Sequence, residues 1–470
     1  MPLSSSTSDT PIEQQLLEEQ ITIQKHVFLE KIRYLATKID TAHTIPISPS
    51  MLLVGSSVGI VIPNMPYDIV SNLGLSAGQY GIVVSSFAFS KLLANVPAAV
   101  VVEKHSRKPY LVYSLVIISM GVVGIGLASH FEHLVFCRWM TGIGVSALST
   151  AATLSMADCS TSLNRASTMA PLMSSFAAGA AMGPVIGGVL ADHVGLNSTF
   201  YLVGCIYLTL SAMNHFVLTE TKLPKQQFPW ENSKIITNGA NGDRKNTKNN
   251  DDEVDKNNKQ EQKGVIDSMK EAMSQWSSLL KIENVRNVVL MNGFYWAALS
   301  GSQMTLLPLI LTDADALAFT ATQVGQVYMG MSLVQVLGNP TMAAMVDKIG
   351  IVTGIVVGCT FLSNAIFGLP YCSEMNEVVG SCGLWALGST MLSTAPVSFV
   401  SDNVSDRKRA QAIALLRTAG DVGFVLGAVS TGAIADAFTM DIAVHSNAGM
   451  LLTAISWFMT RNFLSKSIRT

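Results

Sequence analysis

Twelve stretches of the chain are mainly apolar over roughly 20 residues, the length a helix needs to cross the hydrocarbon core of a bilayer. The first six run over 47–67, 79–102, 109–128, 133–156, 167–191 and 199–218. The second six run over 287–311, 322–346, 350–371, 379–401, 410–435 and 442–462. Many carry Gly and Ser, which lets membrane helices approach closely. The two-residue alternation of a membrane β-barrel is absent from the sequence. The pattern predicts an all-α membrane protein with twelve transmembrane helices.

Polar stretches divide the chain. Residues 221–264 include "NGANGDRKNTKNNDDEVDKNNKQEQKG", a low-complexity run whose composition predicts disorder. Val265, Ile266, Met269, Ala272, Met273, Trp276 and Leu280 then recur at helical spacing. They predict an interfacial helix leading into the seventh span, or else a helix that binds a partner. Near the start, Leu17, Ile21, Phe28, Ile32, Leu35 and Ile39 predict an amphipathic helix on the membrane or on the protein. Glu13, Glu18 and Glu19 speak against a cleavable signal or transit peptide there. The expected organisation is a tail (1–46), a six-helix bundle (47–220), a linker with its interfacial helix (221–284), a second bundle (285–463) and a short tail (464–470).

The two sets of six are related by one gapless shift of 244 residues. It places "AGQYG" at 77–81 on "ATQVG" at 321–325. Glu103 falls on Asp347, Lys104 on Lys348, Asp158 on Asp402 and Arg165 on Arg409. Gly179, Gly183, Gly188 and Asp192 fall on Gly423, Gly427, Gly432 and Asp436. Small residues alone align easily in such a chain, but charges matched at helix ends do not. The sequence is a tandem duplication of one six-helix unit, which is the plan of transporters whose solute site lies between two parallel halves.

Composition agrees: 49% of residues are hydrophobic and only 13% charged, with mean hydropathy +0.39. Soluble domains carry about 25% charged residues. Charge placement adds an orientation. One set of connections carries Lys104, Arg107, Lys108, Arg165, Lys348, Arg407, Lys408 and Arg409, while the other carries Asp68, Glu132, Asp313, Asp315, Glu374 and Glu377. The positive-inside rule makes the first set cytosolic, so both termini are expected in the cytosol. Plasma membrane and internal membranes are equally compatible. Cys372 and Cys382 flank a loop on the other side and could pair in an oxidising compartment. Asn197-Ser198-Thr199 is a glycosylation sequon in a loop too short to favour its use.

Several motifs resemble those of the major facilitator superfamily, in particular its drug-proton antiporter group. "AVVVEKHSRKP" at 99–109 is similar to the first-loop motif, and "AAMVDKIG" at 343–350 is a second copy. Glu103, Lys104, Arg107, Lys108, Asp347 and Lys348 would form a cytosolic gate of ion pairs and helix ends, or would simply set topology. "RWMTGIG" at 138–144 resembles the fourth-helix motif. It implies a cavity-facing, proton-coupling Arg138, against the alternative of an arginine that snorkels to the surface. "GAAMGPVIGG" at 179–188 resembles the fifth-helix motif of antiporters. There Gly179, Gly183, Gly187 and Gly188 would allow close helix packing, and Pro184 a bend.

Besides Arg138 in the fourth span, three more charges sit inside spans: Lys91 in the second, Arg417 and Asp421 in the eleventh. A charge at the bilayer centre costs about 2.5–3.5 kcal/mol even on lenient scales, so each should face a partner or water. Arg417 can reach Asp421 at i, i+4. The resemblance implies that helices two and eleven adjoin, which predicts a Lys91/Arg417/Asp421 cluster. Burial and neighbouring cations pull a carboxylate's proton affinity in opposite directions, as a proton-exchanging acid requires. A static ion pair is the alternative. "DVGFVLG" at 421–427 also resembles the matching helix of vesicular amine transporters. Their other acidic positions fall on Val54 and Thr390, so a monoamine substrate is not expected. Asn64, Asn292, Tyr295, Trp296, Gln303, Gln335 and Trp385 are candidate cavity residues.

The expected function is alternating-access transport of a small organic solute, by antiport against protons. Uniport or symport of an organic anion is the second reading, and a receptor or scaffold without transport the third. The expected partners are the solute, protons and the lipid bilayer, with no nucleic acid, and a monomer is expected. No cofactor is expected: the sequence lacks a zinc-binding H-E-x-x-H, a phosphate-binding P-loop and any nucleophile constellation, which argues against an enzyme.

Overall fold

A computed structural model describes residues 41–66, 73–104, 106–159, 165–221, 265–313 and 317–467. The amphipathic stretch expected within 1–40, the polar run 222–264 and Asp315 lie outside the described residues. The N-terminal half consists of α1 (Thr41–Met65), α2 (Ala77–Lys104), α3 (Arg107–Leu127), α4 (Phe131–Asp158), α5 (Arg165–Val194) and α6 (Leu196–Val217). A shorter helix, α7 (Val265–Leu280), precedes the second half. That half consists of α8 (Glu283–Thr312), α9 (Ala321–Ile349), α10 (Ile351–Gly368), α11 (Met375–Asp402), α12 (Asp406–Ala437) and α13 (Met440–Ser467).

Ten of these helices are long and apolar enough to cross a membrane by length and composition. The described apolar part of α1, Pro46–Val61, is shorter. The other, α9, is long enough but carries Gln323, Gln326, Gln335 and Asn339. With α1 and α9 counted, the described residues hold six long helices in each half. Consecutive helices run antiparallel. α1 begins and α13 ends on one side, called the near side below; the other is the far side.

Each half has its own hydrophobic core. Tyr80, Leu115, Leu148, Phe200 and Tyr207 centre the first, and Leu307, Leu362, Trp385, Leu451 and Phe458 the second. Polar groups inside are paired across helices. Tyr207 Oη lies 2.7 Å from Ser57 Oγ, Asn214 donates to Ser50 Oγ at 2.8 Å, and Ser363 donates to the Ala448 carbonyl at 3.0 Å. Such pairs hold membrane helices together where no hydrophobic difference separates protein from lipid.

α8 is not α-helical throughout. Ser300–Leu306 forms a π-helical turn, a feature frequent at functional positions. Beside it, Asn447 donates to Ser302 Oγ at 2.9 Å and accepts from Thr431 Oγ1 at 3.0 Å. α7 touches α8, α12 and α2, so it contacts both halves.

The Asn197 sequon lies in the first turn of α6, with Thr199 fully buried. Cys372 and Cys382 are both free thiols; the pairing is not formed, and Cys382 is buried within α11.

On the near side of the first half the charges of the first-loop motif find local partners. Arg107 Nε donates to Asp158 Oδ2 at 3.0 Å, and its guanidinium also donates to the Val102 carbonyl. Glu220, just beyond α6, accepts from the backbone N–H of Arg107 at 2.8 Å and of Lys108 at 3.1 Å. A carboxylate is well placed at the positive end of a helix, where N–H groups lack partners. Replacing Glu220 by Ala should therefore cost about 1 kcal/mol, the usual value of a lost N-terminal cap, and lower the thermal unfolding midpoint in detergent. An unchanged midpoint would mean that water caps α3 equally well.

Candidate functional site

The halves meet along two seams, one between α2 and α12 and the other between α5 and α9. Glycine makes both possible. A Cβ on Gly188 would stand 2.3 Å from the Ala321 carbonyl oxygen, and one on its repeat mate Gly432 would stand 2.6 Å from that of Ala77. A Cβ on Gly325 would stand 2.3 Å from the Pro184 carbonyl oxygen, and one on Gly81 the same distance from that of Ala428. No side chain fits at these four points, and the duplication appears as a pseudo-twofold pair of contacts.

The far-side end of each seam carries a carboxylate. Asp192, at the end of α5, accepts from the Thr322 backbone N–H at 2.9 Å and from the Thr322 hydroxyl. Asp436, at the end of α12, accepts from Ser76 Oγ at 2.6 Å. Each latch sits on a capped helix start. Ser76 and Gln79 exchange hydrogen bonds at the head of α2, as Thr320 and Gln323 do at the head of α9. Sequence reading matched Asp192 with Asp436 but gave neither a role. The signal was the pair of S-x-x-Q and T-x-x-Q boxes beginning the two partner helices.

Within each half, further glycines seat α5 on α1 and α12 on α8. Cβ atoms on Gly179 and Gly183 would stand 2.0 Å and 2.3 Å from the carbonyl oxygens of Leu52 and Ser56. Gly187 faces Asn64 and Ile60, and the Pro184 ring packs against Gly59.

Midway along the α2–α12 seam the structure brings Lys91 and Asp421 together. Lys91 Nζ lies 3.9 Å from Asp421 Oδ1, with the side chains 36% and 28% exposed. The pair therefore joins the two halves and stays open to a route between them. Arg417 behaves differently from the i, i+4 expectation. It makes no ion pair with Asp421 within 4 Å among the described residues, and it is exposed. Lys91, approaching from the facing helix, takes the carboxylate. Arg417 remains one turn nearer the near side, within electrostatic reach of Asp421.

Trp296 lies over the same face of α12. Its indole is the nearest neighbour of Gly420, and its ring centroid stands 6.5 Å from Phe424 and 5.5 Å from Tyr295. Trp296 is 37% exposed, and Gln335 is half-buried on the other seam. The other candidate cavity residues are enclosed. Asn64, Asn292, Tyr295, Gln303 and Trp385 are all buried. Asn292 donates to the Leu416 carbonyl at 2.9 Å, tying α8 to α12.

Arg138 is 4% exposed, so it does not snorkel. Its guanidinium carbon stands 4.7 Å from the centre of the Phe87 ring, a cation–π contact that compensates burial in part. Its Nε has no hydrogen-bond partner.

Arg107 and the Lys108 backbone are engaged within the first half, as above. Glu103, Asp347 and Lys348 are exposed, and the Lys104 side chain lies outside the described residues.

The model of the Major Facilitator Superfamily matches residues 47–312 and 288–469. An uncharacterized MFS-type transporter of Methanocaldococcus jannaschii is 22% identical over 380 residues, 81% of this chain and 87% of that protein. Multidrug resistance protein 2 of Bacillus subtilis is 28% identical over 164 residues, 35% of this chain and 40% of its own length. The quinolone resistance protein NorA of Staphylococcus aureus is 24% identical over 173 residues, 37% of this chain and 44% of its own. The chain thus spans less than half the length of these two resistance proteins. Among solved structures, an inward-facing, unoccupied bacterial homolog of the human lysosomal transporter Spinster superposes with TM-score 0.70 at 15% identity, covering 89% of this chain and 96% of that one. The human organic anion transporter of the same fold gives 0.56 at 14%, covering 89% and 99%. Helix count, tandem halves, glycine seams and family match agree: the chain is an integral, multi-pass membrane transporter, not an enzyme, and belongs to the Major Facilitator Superfamily.

Proposed function

We propose that the protein moves a small organic solute by alternating access in exchange for protons, with Asp421 as the proton-carrying group. The observation that carries this reading is the Lys91–Asp421 pair, 3.9 Å apart across the seam and part-exposed. A carboxylate held there by a cation from the other half links the two bundles only while it is ionised. Protonation removes the attraction, and the same event frees the seam to open. Solute entering beside Trp296 competes for the same charges, so proton and solute displace one another. The latches at Asp192 and Asp436 close the far side in this conformation, leaving the pair to be reached from the near side. We place the near side in the cytosol, on the Lys and Arg of its connections. Similarity to multidrug resistance proteins supports an efflux direction.

Solute-driven pH change in proteoliposomes tests this, with wild type beside Asp421→Asn and a panel of amines, carboxylates and amphipathic drugs. Proton movement that requires both a solute and Asp421 is the expected result. Solute flux unchanged in Asp421→Asn, with no proton movement, would sink the antiport mechanism.

A second reading has its own observation. Arg417 is exposed with no ion-pair partner within 4 Å among the described residues, so the seam holds two cations for one acid. That excess suits a carboxylate-bearing solute taken up by uniport or symport. The carboxylates in the same panel separate the two readings.

A further inference from the structure

We propose that the protein carries a specific site for an anionic phospholipid between α8 and α13, in the leaflet of the near side. The two helices leave a groove of about 390 Å³ there, lined by Leu290, Phe294, Thr453, Ala454 and Trp457. That volume lies within the roughly 300–1,000 Å³ typical of small-molecule sites. Leu290 and Phe294 are 45% and 41% exposed, and Ala454, at 5%, is enclosed. Among the described residues, the main neighbours of α13 all belong to its own half, so the groove opens outward to lipid and away from the transport route. Its lining is almost wholly apolar, which fits an acyl chain.

The charges at its mouth select the headgroup. Arg286 lies one turn before Leu290, and Arg461 one turn beyond Trp457. Each is therefore about 6 Å nearer the membrane surface than the groove residue it adjoins in the helix. Both are exposed, and Lys281 stands in the turn that starts α8. Among the described residues, one acid opposes them: Glu283 Oε1 lies 3.9 Å from Arg461 Nη1. Three cations against one acid leave a positive mouth. Trp457 lies one turn from Arg461 toward the end of α13, and tryptophan is enriched at membrane interfaces. An apolar slot beneath a cationic rim is complementary to a phospholipid that bears a net negative charge. A neutral lipid fits the slot but gains nothing at the rim.

Native mass spectrometry of the full chain, released from micelles holding equal amounts of dioleoyl phosphatidylserine and dioleoyl phosphatidylcholine, tests the site. Wild type should retain one phosphatidylserine in about thirtyfold preference, the effect expected of two arginines near an anionic headgroup at about 1 kcal/mol each. The double variant Arg286→Gln/Arg461→Gln should lose the preference. Thr453→Trp, a change at an exposed position that fills the slot, should lower retention of both lipids. Equal retention of the two lipids by wild type would overturn the proposal. So would a preference that survives the double variant, or retention unaffected by Thr453→Trp. Displacement of the bound lipid by the soluble headgroup glycerophosphoserine would show a simple anion site, and displacement by cholesterol would show a sterol slot; either result would also overturn it.

Discussion

Lys91→Glu is expected to lower solute-coupled proton exchange about a hundredfold while the protein still reaches the membrane. Two unit charges at 4 Å interact by about 4 kcal/mol at the effective dielectric near a protein surface. The variant turns an attraction of that kind into a repulsion. Both side chains are about a third exposed, so screening reduces the effect. Roughly 2.7 kcal/mol remains as a working figure, and each 1.36 kcal/mol is a factor of ten in rate. The exchanged pair Lys91→Glu/Asp421→Lys restores the attraction across the seam. It should recover the unfolding midpoint without recovering wild-type coupling, because the acid now sits on α2. Flux and internal pH in proteoliposomes read the coupling, and thermal unfolding in detergent reads the midpoint. Wild-type exchange by Lys91→Glu would remove the pair from the transport route.

Gly188→Leu should hold the far side open and reduce transport by a similar factor. The Ala321 carbonyl oxygen stands 2.3 Å from where its Cβ would be, and it is backbone, so it cannot rotate away. Overpacking of this kind costs about 1–3 kcal/mol in a tight interface. The strain falls between the halves and leaves each core intact, so the protein should fold and lose only the far-side-closed state. A cysteine placed at Ala428, fully buried at the other seam in this conformation, reports this. A membrane-impermeant maleimide added from the far side should label it slowly in the wild-type background and quickly beside Gly188→Leu. Gly432→Leu, the repeat mate, should act alike. Slow labelling in both would mean that the seams do not set closure.

Much of this architecture could be read from the chain. Twelve apolar stretches and a constant shift of 244 residues are long-range patterns, insensitive to detail. Lys91 and Asp421 stood out because a charge in hydrocarbon must be explained, and the explanation had to be another charge or water. The close i, i+4 pair expected of Arg417 is not formed, because helical spacing sees only partners on the same helix. Lys91, 330 positions earlier in the chain, was the stronger competitor. Glu220 escaped notice because the helix end it caps begins 113 positions earlier, and no local motif marks it. The π-helical turn at Ser300–Leu306 is likewise silent in "SGSQMTL", since it depends on Asn447 and Thr431 from other helices. Asn64 and Trp385 were chosen as polar or aromatic residues within spans. Burial by neighbours, which no linear pattern encodes, encloses both.

The twin seams are equal in backbone and unequal in chemistry. On the shift that superposes the halves, Lys91 corresponds to Gln335, Asp421 to Ala177 and Arg417 to Met173. The mid-seam charge has gathered on one edge of the molecule, while its duplicate keeps the contact surfaces and the far-side carboxylate Asp192. Duplication supplied a spare. On the proton-exchange reading proposed above, one copy of the seam became the reactive edge and the other was left to serve as a plain bearing. That asymmetry would let a symmetric scaffold exchange charge along a single line.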